Sequence, residues 1–205
     1  MNKIVKAVLP TRGLIYAKTI SSLLKNINQR DIIFSIGLPM PNCFNDGVRI
    51  ALDNGADYIW MVEEDNELPD GVLKELLRVA EKGNPIVTMD YTVGAGKSHV
   101  YEIDGKPAWC GIGCTLIKRE VFENIPEPWF EVDKNLNFVD DGFKIVQIPK
   151  ENVGKKFGGH DSLFFYIKAK QYPITVLEGW HGDHYRCKEM PKREMNNGSY
   201  SIYTL

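Results

Sequence analysis

Four acidic side chains follow one apolar, aromatic run in the segment "ADYIWMVEEDNELP", residues 56–69. Like charges this close repel each other, so a positive partner is expected nearby. Hard divalent cations prefer oxygen ligands, and two carboxylates two positions apart at a strand end can share one ion. Glu63 and Asp65 are therefore candidate metal ligands, and a solvated charged turn is the alternative. Glu64 points the other way on a strand's period of two and is expected to be dispensable, and Glu67 lies past the strand with no assigned role.

Two histidines near the end of the chain are further candidates for metal ligands. His181 and His184 follow a short apolar stretch, in the segment "GWHGDHYRC". Neutral imidazole can complete the coordination sphere of Mn²⁺ or a similar ion. A lone histidine is more often a structural residue, but two in one glycine-containing segment favour a metal site.

Cysteines offer an alternative to this oxygen-rich site. The four cysteines (Cys43, Cys110, Cys114, Cys187) do not make a disulfide scaffold in a chain of this length. Cys110, Cys114 and Cys187, together with the two histidines, have spacings that a structural zinc ion accepts. However, Cys110 and Cys114 alternate with glycines in an apolar stretch, as small buried core thiols do.

Asp161 is the candidate general base. It lies in the first turn of an expected helix, in "GGHDSLFF", where an aspartate also caps the helix and complements its dipole. As a base it needs an attacking hydroxyl within hydrogen-bond reach. The sequence allows both roles.

The elements that would position these residues alternate between strand and helix in the first half of the chain. Apolar runs predict strands at 3–9, 31–39, 57–63 and 85–91. Helical spacing of apolar residues covers 14–27, 45–55 and 69–83, with Asn45 or Asp46 expected as the cap of the second helix. The alternation predicts an α/β fold with a mainly parallel sheet and helices on its faces. Ligands of such sheets bind at the carboxyl ends of the strands, where the acidic run and the loop "PTRG" lie.

The second half of the chain is less regular. It predicts a hairpin that turns at Asp104-Gly105 and a strand that runs into a helix over 114–125. A helix is expected over 159–172, followed by a short strand at 173–178. Residues 132–157 are expected to be loop, and residues from 188 onward to form a tail.

Composition limits the class of protein. The chain has 205 residues, which is within the range of one domain, and its 43% apolar and 25% charged residues are ordinary for a globular protein. A net charge of −2 argues against a surface built as a whole to hold nucleic acid or anionic membrane. The first apolar run is too short for a signal peptide, and no window approaches a membrane span. We therefore expect a cytoplasmic protein, in the host cytoplasm if the source is a virus.

The order of these motifs resembles that of a glycosyltransferase of the GT-A fold, the inverting type that uses nucleotide sugars. The resemblance is carried by "LPTRG", "LPMPNCFNDGVRIALDNGADYIWMVEEDNELPDGVLKELL", "WCGIGCTLIKREVFENIPEPWF" and "GGHDSLFFYIKAKQYPITVLEGWHGDH". It covers most of residues 5–185 and is greatest for the short, single-domain form of phages and bacteria. It implies a Rossmann-like GT-A domain over 1–187, with a nucleotide-binding half (1–92), an acceptor-binding half (93–187) and a tail at 188–205.

The resemblance also implies roles for single residues. The family's metal-binding "DxD" triplet corresponds to Glu63-Glu64-Asp65, and its closing metal-binding histidine corresponds to His184, with His181 as the alternative. Asp161 corresponds to the catalytic base, with His160 in place of the usual acidic neighbour. The positions expected to bind the nucleotide sugar are Pro10, Thr11, Arg12, Asn45, Glu64, Asp65, Trp109, Gly111 and Gly113.

A metal-dependent sugar transfer with inversion is the function that this resemblance implies. Mn²⁺ or Mg²⁺ held by Asp65 and His184 would stabilise the leaving diphosphate, and Asp161 would take the acceptor's proton. A UDP-sugar is the expected donor. The acceptor stays open among a saccharide, a protein side chain, a lipid and a hydroxymethylated base in phage DNA. A basic rim formed by "GKKFGG" with Lys188, Lys192 and Arg193 would suit the last of these.

Departures from the family's pattern keep other functions open. Glu63 stands where the family has aspartate, Phe44 where it has arginine, and His160 where it has an acid. A nucleotide-sugar or sugar-binding protein without turnover is therefore the second hypothesis. A nucleotidyltransferase is the third, although its glycine-rich, basic N-terminal loop is missing. The loop "LPTRG" contains neither GxGxxG nor GxxxxGK[ST], so neither the usual dinucleotide fold nor a P-loop is supported.

Overall fold

A computed structural model of the chain describes residues 3–37, 41–93, 97–131, 134–139, 142–147 and 160–185. The expected basic rim, Cys187 and the tail lie outside these ranges. The helices are α1 (Ala17–Asn26), α2 (Asn42–Asp53), α3 (Val72–Ala80), α4 (Arg119–Glu123) and α5 (His160–Ser162), which continues as a π-helical segment, Leu163–Lys168. The strands are β1 (Val5–Thr11), β2 (Ile32–Ile36), β3 (Tyr58–Val62), β4 (Asn66–Glu67), β5 (Ile86–Val93), β6 (Lys97–Ser98), β7 (Tyr101–Ile103), β8 (Lys106–Trp109), β9 (Cys114–Lys118), β10 (Lys134–Val139), β11 (Gly142–Gln147) and β12 (Ile174–His184).

One central sheet organises the described residues. Its strand order is β2-β1-β3-β9-β5-β12-β4, with β6 paired to β5. The strands β1, β2, β3, β5 and β12 run in one direction, and β9 is inserted antiparallel between β3 and β5. The predicted mainly parallel, mixed α/β sheet is confirmed.

Side chains that alternate along the central strands build two core layers. On β3, Ile59 and Met61 pack in the layer that contains α2, whereas Trp60 and Val62 pack in the layer that contains α1 and α3. All of β3 is buried because helices cover both faces, so its sequence is a continuous apolar run rather than an alternating one. Helices on both faces are as predicted. None of the helices in the described ranges has the length and apolar character needed to cross a membrane.

Helix α2 differs from its predicted start. It begins at Asn42 after Pro41, so the prediction that Asn45 or Asp46 caps it is wrong. Asn45 instead lies inside the helix and is buried. Its Nδ2 donates to the carbonyl of Phe130 at 2.9 Å, and its Oδ1 accepts from the Phe130 amide at 2.9 Å. Asn45 therefore joins α2 to the loop that follows α4.

The second half of the chain contains both a confirmed and an incorrect prediction. The hairpin β7–β8 turns at Asp104 and Gly105, which both have positive φ, as predicted. Residues 132–157 were expected to be loop, but β10 and β11 form an antiparallel hairpin within them. The segment "KNLNFV" has an alternation of polar and apolar residues that is typical of a strand.

The last strand is longer than its sequence predicts. From Ile174 it pairs parallel with β5, and its register shifts between Leu177 and His181. It then pairs antiparallel with β4, so that His184 lies opposite Asn66. Strand pairing thus continues through the segment that was expected to follow the strand as a loop, and it carries His184 to the acidic run.

Candidate functional site

Three of the predicted metal ligands meet beyond the carboxyl end of β3. One ligand atom each from Glu63, Asp65 and His184 lies within 4.8 Å of the other two. His184 Nε2 is 3.6 Å from Glu63 Oε2 and 3.3 Å from Asp65 Oδ1. The Asp65 side chain is only 4% exposed, and that of Glu63 is 28% exposed. Two carboxylates and one imidazole form a donor set that suits a divalent cation such as Mn²⁺, so these residues fit the expected metal.

The charged form of His184 is one positive partner that the two carboxylates can have, and a bound cation would replace the proton on its ring. Burial disfavours its charged form, but the hydrogen bonds and negative charges of Asp65 and Glu63 outweigh burial and raise the pKa of His184 to about 11. The backbone fixes this arrangement, because the amide of Tyr185 donates to the carbonyl of Asp65 at 2.8 Å.

Glu64 faces a different part of the site. Its Oε2 accepts hydrogen bonds from Thr11 Oγ1 at 2.7 Å and from the Arg12 amide at 3.2 Å, and its Oε1 accepts from Arg12 Nη2 at 2.8 Å. Glu64 is buried, so these contacts tie the loop after β1 to the end of β3. The prediction that both segments lie at the same edge of the sheet is consistent with this contact, whereas the strand's period of two indicated that Glu64 is dispensable.

A cavity of about 190 Å³ adjoins the three ligands. Its walls are formed by Pro10, Thr11, Arg12, Cys43, Phe44, Glu63, Glu64, Asp65 and His184. Five of the positions expected to bind the nucleotide sugar are in this set: Pro10, Thr11, Arg12, Glu64 and Asp65. A larger and mostly polar groove, of about 380 Å³, is lined by Lys18, Lys25, Asp70 and His181 among others, and it lacks the three ligands.

Four other expected positions are not in the wall of this cavity. Asn45 is directed to Phe130, as described above. Trp109 stacks on Tyr101 at 4.1 Å in the β7–β8 hairpin. A Cβ on Gly111 would lie 2.2 Å from Tyr91 Oη, and one on Gly113 would lie 2.8 Å from Glu63 Oε2. The two glycines thus make room for side chains of the site instead of lining the cavity.

Tyr91 is a residue of the site that sequence analysis missed. Its ring stacks on His99 at 3.8 Å and on His184 at 5.6 Å, and its Oη accepts a hydrogen bond from the Gly113 amide at 3.0 Å. Burial raises the pKa of Tyr91 well above its usual value, so the phenol stays neutral. Tyr91 therefore packs against the His184 ring and helps to hold it in place beside Glu63 and Asp65.

His181 does not join the ligand cluster. Its Nε2 is 3.0 Å from Thr92 Oγ1, and its Nδ1 is 3.6 Å from Asp90 Oδ2. The side chain is half exposed. Of the two histidines that the sequence could not separate, the structure brings His184 to Glu63 and Asp65.

Asp161 lies on a different element, at the start of α5, and is not among the residues that line the cavity. Its Oδ1 accepts a hydrogen bond from the Ser162 amide at 2.7 Å, which is a helix-start contact. Its negative charge also contributes, after burial, to raising the pKa of Tyr91 and of Cys110. His160 is buried against Phe44, at 4.8 Å between ring centroids, and its ring nitrogens have no hydrogen-bond partner among the described residues.

The described cysteines do not form the zinc site that their spacing allowed. Cys110 and Cys114 lie in different core layers, so their thiols do not converge on one ion. Burial raises the pKa of Cys110 far above its usual value and that of Cys114 to about 12, which keeps both thiols protonated.

Comparison with known proteins bears on the fold. No protein-family model and no curated protein matches the chain. The crystal structure of A197 from STIV is similar, with a TM-score of 0.57 and 22% identity over 88% of this chain and 84% of that one. The crystal structure of S. aureus TarS 1–349 in complex with UDP-GlcNAc is similar with a TM-score of 0.57 and 12% identity. That match covers 96% of this chain but only 61% of the TarS chain.

These similarities, together with the strand order, define the fold of the chain. It has a Rossmann-like GT-A fold, with an antiparallel strand inserted in a mainly parallel sheet. The expected fold is thereby confirmed.

Proposed function

We propose that this protein is a metal-dependent glycosyltransferase, which moves a sugar from a nucleotide-diphosphate sugar to an acceptor hydroxyl with inversion. The observation that carries the proposal is the cluster of Glu63, Asp65 and His184, next to a cavity walled by Thr11 and Arg12. Both lie at the carboxyl edge of the sheet, where α/β proteins bind their ligands. The GT-A fold, and the UDP-GlcNAc held by the similar TarS structure, support the same class of donor.

Residues 1–92 would bind the nucleotide and residues 93–187 the acceptor. Glu63, Asp65 and His184 would hold Mn²⁺ or Mg²⁺, which neutralises the charge that develops on a departing diphosphate. Arg12 lies on the wall of the cavity, and its contact with Glu64 fixes the direction of the guanidinium. A guanidinium held in this way suits a phosphate or the nucleoside of a UDP-sugar.

Asp161 would act as the general base. Its Oδ1 accepts from the Ser162 amide, so the other carboxylate oxygen would take the proton from the acceptor hydroxyl. The acceptor oxygen then forms its bond to the anomeric carbon while the bond from that carbon to the diphosphate oxygen breaks. Attack from the face opposite the diphosphate makes this a single displacement, which inverts the configuration.

A thermal-shift screen of nucleotide sugars with and without Mn²⁺ tests the donor site first. We expect a UDP-sugar to raise the melting temperature, and to do so more strongly with Mn²⁺. Release of nucleoside diphosphate then tests turnover. Asp65→Ala and His184→Ala should each abolish the metal-dependent release, whereas the matched control His181→Ala should keep it. A screen in which no nucleotide sugar stabilises the protein would contradict the assignment of the donor site.

A nucleotide-sugar-binding protein without turnover is the second candidate. It is favoured by Asp161, whose Oδ1 is occupied by the Ser162 amide, and by His160, which stands where an acidic neighbour is expected. The release assay separates the two functions, because a binder would be stabilised by the donor and would release no nucleoside diphosphate. Pyrophosphate as product would instead indicate a nucleotidyltransferase. Saccharides, proteins and hydroxymethylated DNA are the acceptors to test.

A further inference from the structure

Asn66 has a buried side-chain amide that has no role in the proposed reaction. It is 1% exposed, and within the described part of the chain neither its Nδ2 nor its Oδ1 has a hydrogen-bond partner. A buried polar group left unpaired destabilises a folded protein. Native proteins keep few such groups, and those they keep require an explanation.

The position of Asn66 relates it to the ligand cluster. Its backbone N–H donates to the backbone carbonyl of Glu63 at 3.5 Å and so closes the turn that carries Glu63 and Asp65. Asn66 is also the cross-strand partner of His184 in the β4–β12 pairing. Directly opposed residues project to the same face of a strand pair, so Asn66 and His184 lie on one side of it.

Gly113 shows that Asn66 and Glu63 share one small space. A Cβ on Gly113 would lie 2.0 Å from Asn66 Nδ2 and 2.8 Å from Glu63 Oε2. Because glycine has no side chain, the amide and the carboxylate both face this point. A donor and a charged acceptor therefore lie close to one point, and no hydrogen bond joins them.

We propose that Asn66 is a positioning residue of the cation site, whose amide holds the Glu63 carboxylate in the orientation that binds metal. This inference depends on the proposed function, because it needs the cation site. With a cation bound, Asn66 Nδ2 would donate a hydrogen bond to the Glu63 carboxylate, whose Oε2 faces both His184 and the space beside Gly113. Hydrogen-bond partners of metal ligands typically contribute about 10–100-fold to metal affinity.

Mn²⁺ binding to the full chain tests this role, by titration calorimetry and by electron paramagnetic resonance of the bound ion. The informative variant is Asn66→Leu, which keeps a similar shape and removes both polar atoms. We expect its Mn²⁺ affinity to fall about 10–100-fold and the spectrum of bound Mn²⁺ to change. The melting temperature of the metal-free variant should be unchanged or higher, because an unpaired buried amide has been removed.

Asn84→Leu is the matched control. Asn84 lies between α3 and β5, where its Nδ2 donates to the Val79 carbonyl at 2.8 Å and its Oδ1 accepts from Thr175 Oγ1 at 2.9 Å. Removing this paired amide should lower the melting temperature and leave Mn²⁺ affinity unchanged. The two substitutions are chemically identical, so opposite effects would separate a positioning role from a structural one.

The Mn²⁺-binding results distinguish failure of the role of Asn66 from failure of the proposed function. Asn66→Ala is the second variant if leucine prevents folding. Mn²⁺ affinity within twofold of the unmodified protein in a folded Asn66 variant overturns the inference, as does a loss of folding in both variants. Binding lost in Asp65→Ala but kept in Asn66→Leu contradicts only the role of Asn66. No Mn²⁺ binding by the unmodified protein overturns both the inference and the cation site.

Discussion

The three carboxylates at the end of β3 contact two basic side chains. Glu63 and Asp65 share His184, whereas Glu64 pairs with Arg12 at 2.8 Å. The repulsion expected between adjacent acids is reduced because two of them contact His184 and the third contacts Arg12. Glu64 and Arg12 form part of the cavity wall, and the other two acids belong to the candidate cation site.

Replacement of Glu64 by glutamine tests the first of these pairs. The Glu64 side chain is 9% exposed, so its charge-assisted contacts with Arg12 and Thr11 are made largely out of water. We expect Glu64→Gln to lower the free energy of unfolding by about 1–3 kcal/mol, measured by urea denaturation. Glu67→Gln is the control, since its contact with Lys18 is 3.7 Å long and exposed, and it should change stability by less than about 0.5 kcal/mol. Equal effects of the two variants would refute the special role of Glu64.

Sequence alone predicted part of the site at the level of single residues. Glu63 and Asp65 were candidates because two carboxylates two positions apart, at the carboxyl end of a strand in a parallel sheet, can share one ion. The choice between His181 and His184 depends on the register of β12, which the local pattern does not determine. Asn66 and Tyr91 were missed because an asparagine in a turn and a tyrosine in a strand have ordinary structural uses.

At the scale of elements, the contact between α2 and β1 determines one wall of the cavity. Helix α2 contributes Cys43 and Phe44 to that wall. Gly47, one turn further on, allows the helix to approach the sheet, because a Cβ there would lie 2.4 Å from Val8 Cγ1. The distance of the helix from the sheet is therefore fixed by a glycine that faces a valine.

A double-mutant cycle on Gly47 and Val8 tests this close approach. In an open helix Gly47→Ala would stabilise by up to about 1 kcal/mol, but here the collision should make it destabilising by about 1–3 kcal/mol. Val8→Ala removes the opposing methyl groups and alone leaves a cavity. We expect the double variant to be more stable than the sum of the two single effects predicts, as measured by urea denaturation. Strict additivity would show that the helix and the strand do not collide at this point.

The elements of the first half were predictable because the sheet there is regular. Four apolar runs alternate with amphipathic helices, and β1, β2, β3 and β5 match them within a few residues. The second half was less predictable for a physical reason. The inserted strand β9 and the late strand β12 owe their positions to pairing with strands distant in sequence, and local periodicity does not report such pairing.

At the scale of the whole molecule, buried His99 makes the free energy of unfolding depend on pH. It is 7% exposed, its Nε2 lies 3.1 Å from Thr88 Oγ1, and its Nδ1 lies 3.3 Å from Asp90 Oδ1. Burial lowers the pKa of His99 from 6.5 to about 4, although the Asp90 charge opposes the shift. A lowered pKa in the folded state means that the contribution to stability is complete above pH 6.5, decreases as the pH falls and is lost below about pH 4.

His99→Gln tests this dependence. Between pH 7 and about pH 4.5 the unmodified protein should lose about 2–3 kcal/mol more unfolding free energy than His99→Gln does. Urea denaturation at both pH values measures the difference, and other titrating groups cancel because both proteins contain them. Equal losses in the two proteins would show that His99 does not remain neutral in the fold.

The pairing of β12 with β4 also has a consequence for the order of folding. The backbone contact of Tyr185 with Asp65 and the pairing of His184 with Asn66 join parts of the chain that are far apart in sequence. Contacts of this kind close a long loop, so they form late and are rate-limiting more often than local ones. An ion that requires His184 would bind only after β12 has docked, and it would slow unfolding without accelerating folding. A bound metal would then slow the detachment of β12 from the sheet and so lower the unfolding rate.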